Sequence, residues 1–303
     1  MAVLETIIPI FLIIIFGYII HRNGFLNDRF ILDMNKFIFL FPLPTLIFTG
    51  IIKSDIKDVY LSHILSVILP TFALIIFSFL VGWILKLRAG RLGTFMQTSF
   101  HGNVSYIGLA VLFYLLGEKG LKQGSILIGL MILLNNSMAI AVLSWSSRRE
   151  RNIMKAFLSI IKNPVIIATF LGLIVLYTGI TIPKVILRGM VILSNIALPM
   201  ALIMIGASIA VENIKRSFRF SFVAAILKLL VLPGFAALYS FVLHIPFKDI
   251  IPVFILLATP TATTSYIMAH EIGGDPELAS NTVTLSTIIS PITFILWANI
   301  AGV

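Results

Sequence analysis

The chain has 303 residues, of which 59% are apolar and only 11% are Asp, Glu, Lys or Arg. About a quarter of the residues in a soluble globular domain are charged, so the composition excludes that class and predicts a polytopic membrane protein. The net charge of +10 does not indicate nucleic-acid binding, because the basic residues stand in short loops between apolar runs and report membrane topology.

Ten apolar runs have roughly the 20 residues that a helix needs to cross a bilayer. We name these predicted spans TM1 to TM10. They cover residues 3–21, 30–52, 61–85, 94–116, 122–146, 164–181, 184–211, 219–243, 250–270 and 278–302. TM1 has spanning length and follows no basic region, so we expect it to be retained and not cleaved as a signal peptide.

Lys and Arg are divided unequally between two sets of loops. The loops after TM1, TM3, TM5 and TM7 hold 13 of them, whereas those after TM2, TM4, TM6 and TM8 hold 7. Loops rich in Lys and Arg stay in the cytoplasm. This distribution predicts a multi-pass protein of the plasma or bacterial inner membrane, with both termini outside.

The two halves of the chain are related by an internal repeat. A shift of 155 residues aligns identical helix-shaping residues, including Pro9 with Pro164, Gly17 with Gly172 and Pro44 with Pro199. Residues 1–146 and 164–303 then hold five spans each, joined by a basic cytoplasmic linker at 147–163. An odd number of spans turns the second copy upside down, which predicts an all-α fold of two inverted five-helix repeats.

The spans differ in polarity. TM1, TM2, TM6 and TM7 are the most uniformly apolar, whereas polar residues collect in TM4, TM5, TM9 and TM10. This contrast predicts a lipid-facing scaffold of TM1, TM2, TM6 and TM7 and a transport core of TM3–TM5 and TM8–TM10. Alternating access would follow from movement of one against the other.

TM4 and TM9 each contain a polar or helix-breaking centre. In TM4 it is formed by Gly102, Asn103 and Ser105, and in TM9 by residues 260–265. Non-helical backbone at membrane depth is tolerated only where protein or a water-filled cavity covers it. Because the repeats are inverted, we expect the two breaks to meet at the middle of the membrane and form a binding site.

A break exposes the amide groups of a half-helix N-terminus, which attract anions, and nearby amide and hydroxyl groups can orient them. We therefore predict a site for a small organic anion. Its candidate residues are Asn103, Ser105, Tyr106, Asn136, Pro260, Thr261, Thr263, Thr264 and Ser265. For a single Ser or Thr the alternative is a bond to freed backbone, and for Asn136 it is an interhelical hydrogen bond.

Lys36 and Lys228 are ionisable residues well inside predicted spans, where a charge favours a functional role such as pairing with a substrate carboxylate. Each lies under three turns from the cytoplasmic end of its helix, about 10–13 Å at 1.5 Å per residue. A lysine can reach the membrane surface over that distance, and we expect both to do so. No acidic residue falls at the expected crossing, which disfavours a carboxylate site for sodium or protons.

The sequence lacks patterns typical of an enzyme. It has no cysteine, no P-loop and no Gly-x-Ser-x-Gly elbow, and its five histidines do not show metal-ligand spacing. We expect no catalytic residue, no metal site and no cofactor.

Three stretches resemble prokaryotic members of the auxin efflux carrier family, which are related to malate permeases and PIN-type carriers. They are Asn103 followed by Gly108, LPMALIMIGASIA at 198–210, and ATPTATTSYIMAHEIGGDPELASNTVTLSTIISP at 258–291. The match covers essentially the full length, and the last stretch is the most specific.

The resemblance implies ten helices in two inverted repeats, as in the sodium/proton antiporter or bile-acid symporter fold, with TM4 and TM9 broken and crossed. It also implies a homodimer through TM2 and TM7, and transport of organic anions such as auxin or malate. The family's crossover asparagine falls on Asn103 and its crossover proline on Pro260. Members often have proline where this chain has Ala110, so Gly102 and Asn103 must supply the first break.

We therefore predict a secondary transporter of small organic anions, working by an elevator type of alternating access. The alternative on a similar fold is a sodium-coupled symporter of the bile-acid type, which a dependence on a sodium gradient would reveal. An intramembrane enzyme is the alternative from another class, and chemical conversion of the substrate would reveal it.

Overall fold

The computed structural model describes residues 2–55, 61–147, 158, 160–209 and 214–302. Within these residues all regular secondary structure is helical, apart from one isolated β-bridge. Seven helical runs in this part of the chain are long and apolar enough to cross a membrane, and the helix Pro164–Thr178 is apolar but shorter. The protein is thus an all-helical, polytopic membrane protein.

The described residues of the first half form six α-helices and one π-helical turn. They are α1 (Ala2–Arg22), α2 (Asp28–Leu40), α3 (Pro42–Ile52), α4 (Leu61–Ile84), α5 (Ala89–Phe100), the π-turn Val104–Gly108 and α6 (Leu109–Ser146). The long α6 is interrupted at Gly117, where φ is 61° and ψ is −148°. Glycine adopts such a positive φ without the steric cost that a Cβ would bring.

In the part of the second half that the structure describes, residues 164–209 and 214–302, there are eight α-helices, a second π-turn and a short 3-10 helix. They are α7 (Pro164–Thr178), α8 (Lys184–Ser194), α9 (Ala197–Ala207), α10 (Ile214–Ile226), the π-turn Leu227–Val231, α11 (Leu232–Val242), the 3-10 helix Phe247–Asp249, α12 (Ile251–Leu257), α13 (Thr264–Ile272) and α14 (Pro276–Ala301). Most of the predicted linker, residues 148–157 and 159, lies outside the described residues.

Local sequence explains where these helices begin and end. Asn27 caps α2, because its side chain accepts a hydrogen bond from the Phe30 amide at 2.8 Å. Phe41 leaves helical geometry with φ −125° and ψ −71°, and Pro42 begins α3 at a position where its missing N–H is not needed. The predicted span TM2 is therefore made of two helices.

The chain divides into two compact units. The first contains Met1–Tyr60, Ser105–Leu130 and Ile161–Ile209. In it, α1 packs closely on α9: a Cβ at Gly17 would collide with the Ile203 backbone, and one at Gly206 with the Ile14 backbone. Such close approach at small residues is typical of helix pairs in membranes.

The second unit contains Leu61–Val104, Met131–Ile160 and Ala210–Val303. Arg91 Nε lies 3.2 Å from Asp275 Oδ2 and so connects the start of α5 with the start of α14. Asp275 also caps α14 by accepting a hydrogen bond from the Leu278 amide at 3.0 Å, and its own amide donates to Thr94 Oγ1 at 2.8 Å. These contacts fix the start of α5 against the start of α14.

Candidate functional site

The breaks after α5 and α12 are hydrogen-bonded to each other inside the second unit. The Asn103 amide donates to the Pro260 carbonyl, and the Ala262 amide donates to the His101 carbonyl, both at 2.8 Å. Gly102 and Thr261 form an antiparallel β-bridge between them. An unpaired amide in an apolar interior costs several kcal/mol, so the two segments satisfy backbone groups that each helix leaves free. We call residues 101–103 and 260–262 the crossing.

Gly102 allows the two segments to approach. A Cβ at this position would collide with Thr259 Oγ1 and would lie 3.0 Å from Lys228 Cε and 3.1 Å from Lys228 Nζ. The preceding residue, His101, ends α5 in an extended conformation with φ −75° and ψ 94°. The first break therefore depends on a residue without a side chain.

Thr261 holds the second break in place. Its amide donates to Ser286 Oγ on α14 at 3.0 Å, and its hydroxyl donates to the Thr98 carbonyl on α5 at 2.8 Å. Both polar groups of this fully buried residue are used by the protein itself. For Thr261 the structure thus favours the role of satisfying the backbone.

Asn103 and Ser265 are different, because each presents a polar group that the described residues do not satisfy. Asn103 is 6% exposed, and within the described chain its carboxamide has no hydrogen-bond partner. Ser265 is completely buried, and in the same residues its Oγ has no partner. Buried polar groups are nearly always hydrogen-bonded, so these two side chains indicate a place for a ligand or water.

The amide groups at the start of α13 are partly occupied. Those of Thr261 and Ala262 are used at the crossing, and those of Ser265 and Tyr266 donate to the carbonyls of Ala262 and Thr263. In the described part of the chain the amides of Thr263 and Thr264 have no partner. The sequence predicted several free amides at this helix end, and these two remain available for an anion.

The remaining predicted site residues are less closely connected with the crossing. Thr263 is half-buried, whereas Thr264 is exposed. Ser105 and Tyr106 are half-buried in the first π-turn and belong to the first unit, whereas Asn103 belongs to the second. Asn136, on α6 in the second unit, is half-buried.

Two buried polar residues on or beside α5 were not among the predicted site residues. Gln97 is completely buried, and neither of its amide atoms has a hydrogen-bond partner among the described residues. His101 Nδ1 is likewise buried without one there. Gln97 and His101 are four residues apart and so fall on one side of the chain. A glutamine inside a predicted span was the signal available in the sequence.

The expectation that Lys228 reaches the membrane surface was wrong. The side chain was expected to extend to the membrane surface, but it is completely buried, and its Nζ donates to the Leu257 carbonyl at 2.6 Å. Lys36, in contrast, is exposed. Lys228 therefore brings an amine to the end of α12, immediately before the second break.

The crossing of the two broken helices thus lies beside unsatisfied polar groups and a buried lysine. Within the described residues no group of three or more His, Cys, Asp or Glu side chains is arranged to hold a metal ion. A polar site buried among membrane-spanning helices is a candidate binding site for a small polar molecule, and the class of protein in which such sites are typical is the membrane transporters.

Comparison with known proteins agrees with this class. A family model described as "Membrane transport protein" matches residues 2–298, and the chain belongs to that family. This confirms the resemblance to auxin efflux carriers, and the members are transporters and not enzymes.

Three relatives match over nearly their full length. An uncharacterized transporter of Methanocaldococcus jannaschii is 22% identical, with 98% of each chain covered. An uncharacterized transporter of Methanothermobacter thermautotrophicus is 24% identical, with 97% of each covered. A Rhizobium meliloti protein named "Putative malonate transporter" is 23% identical, with 95% of this chain and 92% of the relative covered.

Proposed function

We propose that the protein is a secondary transporter of small organic anions, with dicarboxylates such as malonate or malate as the leading class. The observation that carries this proposal is the buried Asn103 carboxamide, which has no hydrogen-bond partner in the described chain and lies at the crossing. The name of the Rhizobium meliloti relative supports a dicarboxylate.

In this proposal the substrate carboxylate occupies the space beside the crossing. The Asn103 carboxamide donates to it, and the Ser265 hydroxyl and the Thr263 and Thr264 amides supply further donors. The N-terminal end of α13 favours negative charge because the amide dipoles of the helix point towards it. Auxin-like monocarboxylates fit the same chemistry.

We also propose ten membrane spans in two inverted repeats, residues 1–146 and 164–303, with both termini outside. The crossing of two breaks from equivalent parts of the two halves supports this arrangement. The second compact unit contains both segments of the crossing, which supports its role as the transport core, with the first unit as scaffold in an elevator mechanism.

A homodimer through TM2 and TM7 completes the proposal. Both spans lie in the first unit, and their helices α2 and α8 carry exposed apolar side chains. The most exposed of these are Leu32, Val185 and Ile192, at 70%, 83% and 70%. Light scattering of the purified protein in detergent tests the proposed dimer, because it measures the mass of the protein component.

The test of the proposed function is uptake of labelled malonate into proteoliposomes by the wild type, Asn103→Ala and the control Asn23→Ala. Asn23 is exposed at the end of α1. A hydrogen bond to a charged group contributes about 1.5–3 kcal/mol, so we expect Asn103→Ala to lower the apparent affinity by about 10- to 100-fold. Asn23→Ala should transport like the wild type.

Uptake by Asn103→Ala that equals the wild type would contradict the site. The assay is run with and without sodium and pH gradients and repeated with malate and indole-3-acetate. Strict dependence on a sodium gradient would favour the alternative, a symporter of the bile-acid type.

A further inference from the structure

Lys228 is an ionisable residue that is completely buried in the second unit. Its Nζ donates one hydrogen bond, to the Leu257 carbonyl at 2.6 Å. In the described part of the chain no carboxylate lies within 4.0 Å of this nitrogen. An ammonium group has three donors, so two remain unused, and a buried charge without a counter-ion is costly.

The position of Lys228 is next to the crossing. A Cβ at Gly102 would lie 3.0 Å from its Cε and 3.1 Å from its Nζ. Gly102 adjoins Asn103, and Leu257 ends α12 just before the second break. The ammonium therefore lies beside the same two segments that form the proposed anion site.

Lys228 lies in the second π-turn, where the helix is not regular. Pro233 has no N–H to donate to the Leu229 carbonyl, which is the bond that a regular helix would make. That carbonyl instead accepts a hydrogen bond from Trp297 Nε1 at 2.8 Å. A π-turn inserts an extra residue and shifts the helix faces by about 100°, and Lys228 lies within it.

Stabilisation of a helix end does not account for all of these features. A cation near the C-terminal end of α12 interacts favourably with the helix dipole, and the bond to Leu257 is that interaction. An exposed lysine would serve this purpose without the cost of burial. The unused donors and the missing counter-ion leave a place for a second partner, and an anionic ligand supplies both an acceptor and a counter-charge.

We propose that Lys228 binds the carboxylate of the substrate and is the fixed positive charge that makes the crossing selective for anions. This inference rests on the proposed function and names a residue that determines its specificity. The negative charge of the bound substrate balances the buried ammonium. A neutral molecule of the same shape leaves the ammonium unbalanced and binds less well.

The test measures binding of malonate and its neutral analogue malonamide to purified protein by isothermal titration. The variants are Lys228→Met, which removes the charge at similar length, and Lys228→Arg, which keeps it. Lys36→Met is the matched control, because Lys36 is exposed. A charge-assisted hydrogen bond contributes about 1.5–3 kcal/mol, so Lys228→Met should weaken malonate binding by about 10- to 100-fold.

The ratio of the two affinities separates ligand binding from a structural role. Lys228→Met should reduce malonate affinity and leave malonamide affinity unchanged, and Lys228→Arg should keep the preference for malonate. The inference is overturned if Lys228→Met has the same ratio of malonate affinity to malonamide affinity as the wild type. This holds whether both affinities are unchanged or both are lower. If the proposed function is wrong, the wild type itself binds neither malonate nor malate.

Discussion

Substitution of Gly102 by alanine tests how closely the two breaks approach. The added methyl group would collide with Thr259 Oγ1 and press on Lys228 Cε, 3.0 Å away. Thr259 cannot yield easily, because its hydroxyl donates to the Leu256 carbonyl at 2.7 Å. Overpacking of a tight interior typically costs about 1–3 kcal/mol. We expect a cost towards the upper end, since relief would stretch the bond between the Asn103 amide and the Pro260 carbonyl.

Gly234→Ala is the matched control in the same unit. Its Cβ would meet only Trp297 Cη2, at an ordinary contact distance of 3.8 Å. Alanine is favoured over glycine inside a helix by about 0.5–1 kcal/mol, so this variant should be as stable as the wild type or slightly more so. The melting temperature in detergent falls by roughly 2–4 °C for each kcal/mol lost, which makes the two variants distinguishable.

Malonate uptake in proteoliposomes completes this test. Gly102→Ala should lose most of its uptake, because the methyl group displaces the lysine and the second segment from the site. A Gly102→Ala protein that melts and transports like the wild type would refute the close approach at the crossing.

Two further substitutions separate support of the backbone from binding of the substrate. Ser286→Ala removes the acceptor of the buried Thr261 amide and should lower the free energy of unfolding by about 1–3 kcal/mol. Ser290→Ala loses only a bond within its own helix and should lower it by less. Equal melting temperatures of the two variants would contradict this expectation. Gln97→Leu replaces a buried amide whose atoms have no partner among the described residues, so it should raise the melting temperature and lower malonate uptake. A loss of stability would show that Gln97 is bonded in the native protein.

The positions of the two breaks could be predicted from the sequence. Pro260 has no amide hydrogen and Gly102 has no Cβ, and these local properties do not depend on the rest of the fold. The observed interruptions, at residues 101–103 and 258–263, overlap the predicted centres, although Ser105 lies in the first π-turn and residues 264–265 begin α13. Their pairing is shown by the bridge between Gly102 and Thr261.

The roles of single side chains could not be predicted in the same way. The reach of Lys228 was judged along a regular helix, but this residue lies in a π-turn and is completely buried. Thr261 was a candidate ligand, and its partners Ser286 and Thr98 come from elements distant in the chain. Such directions and partners depend on tertiary packing, which a hydropathy pattern does not contain.

The measurement that tests the central claim most directly is a structure of the protein in lipid nanodiscs with saturating malonate. The proposal predicts density for the ligand at the crossing, with one carboxylate within hydrogen-bond distance of the Asn103 carboxamide and the Lys228 ammonium. Malonate bound elsewhere, with both of these groups turned to protein partners, would contradict it.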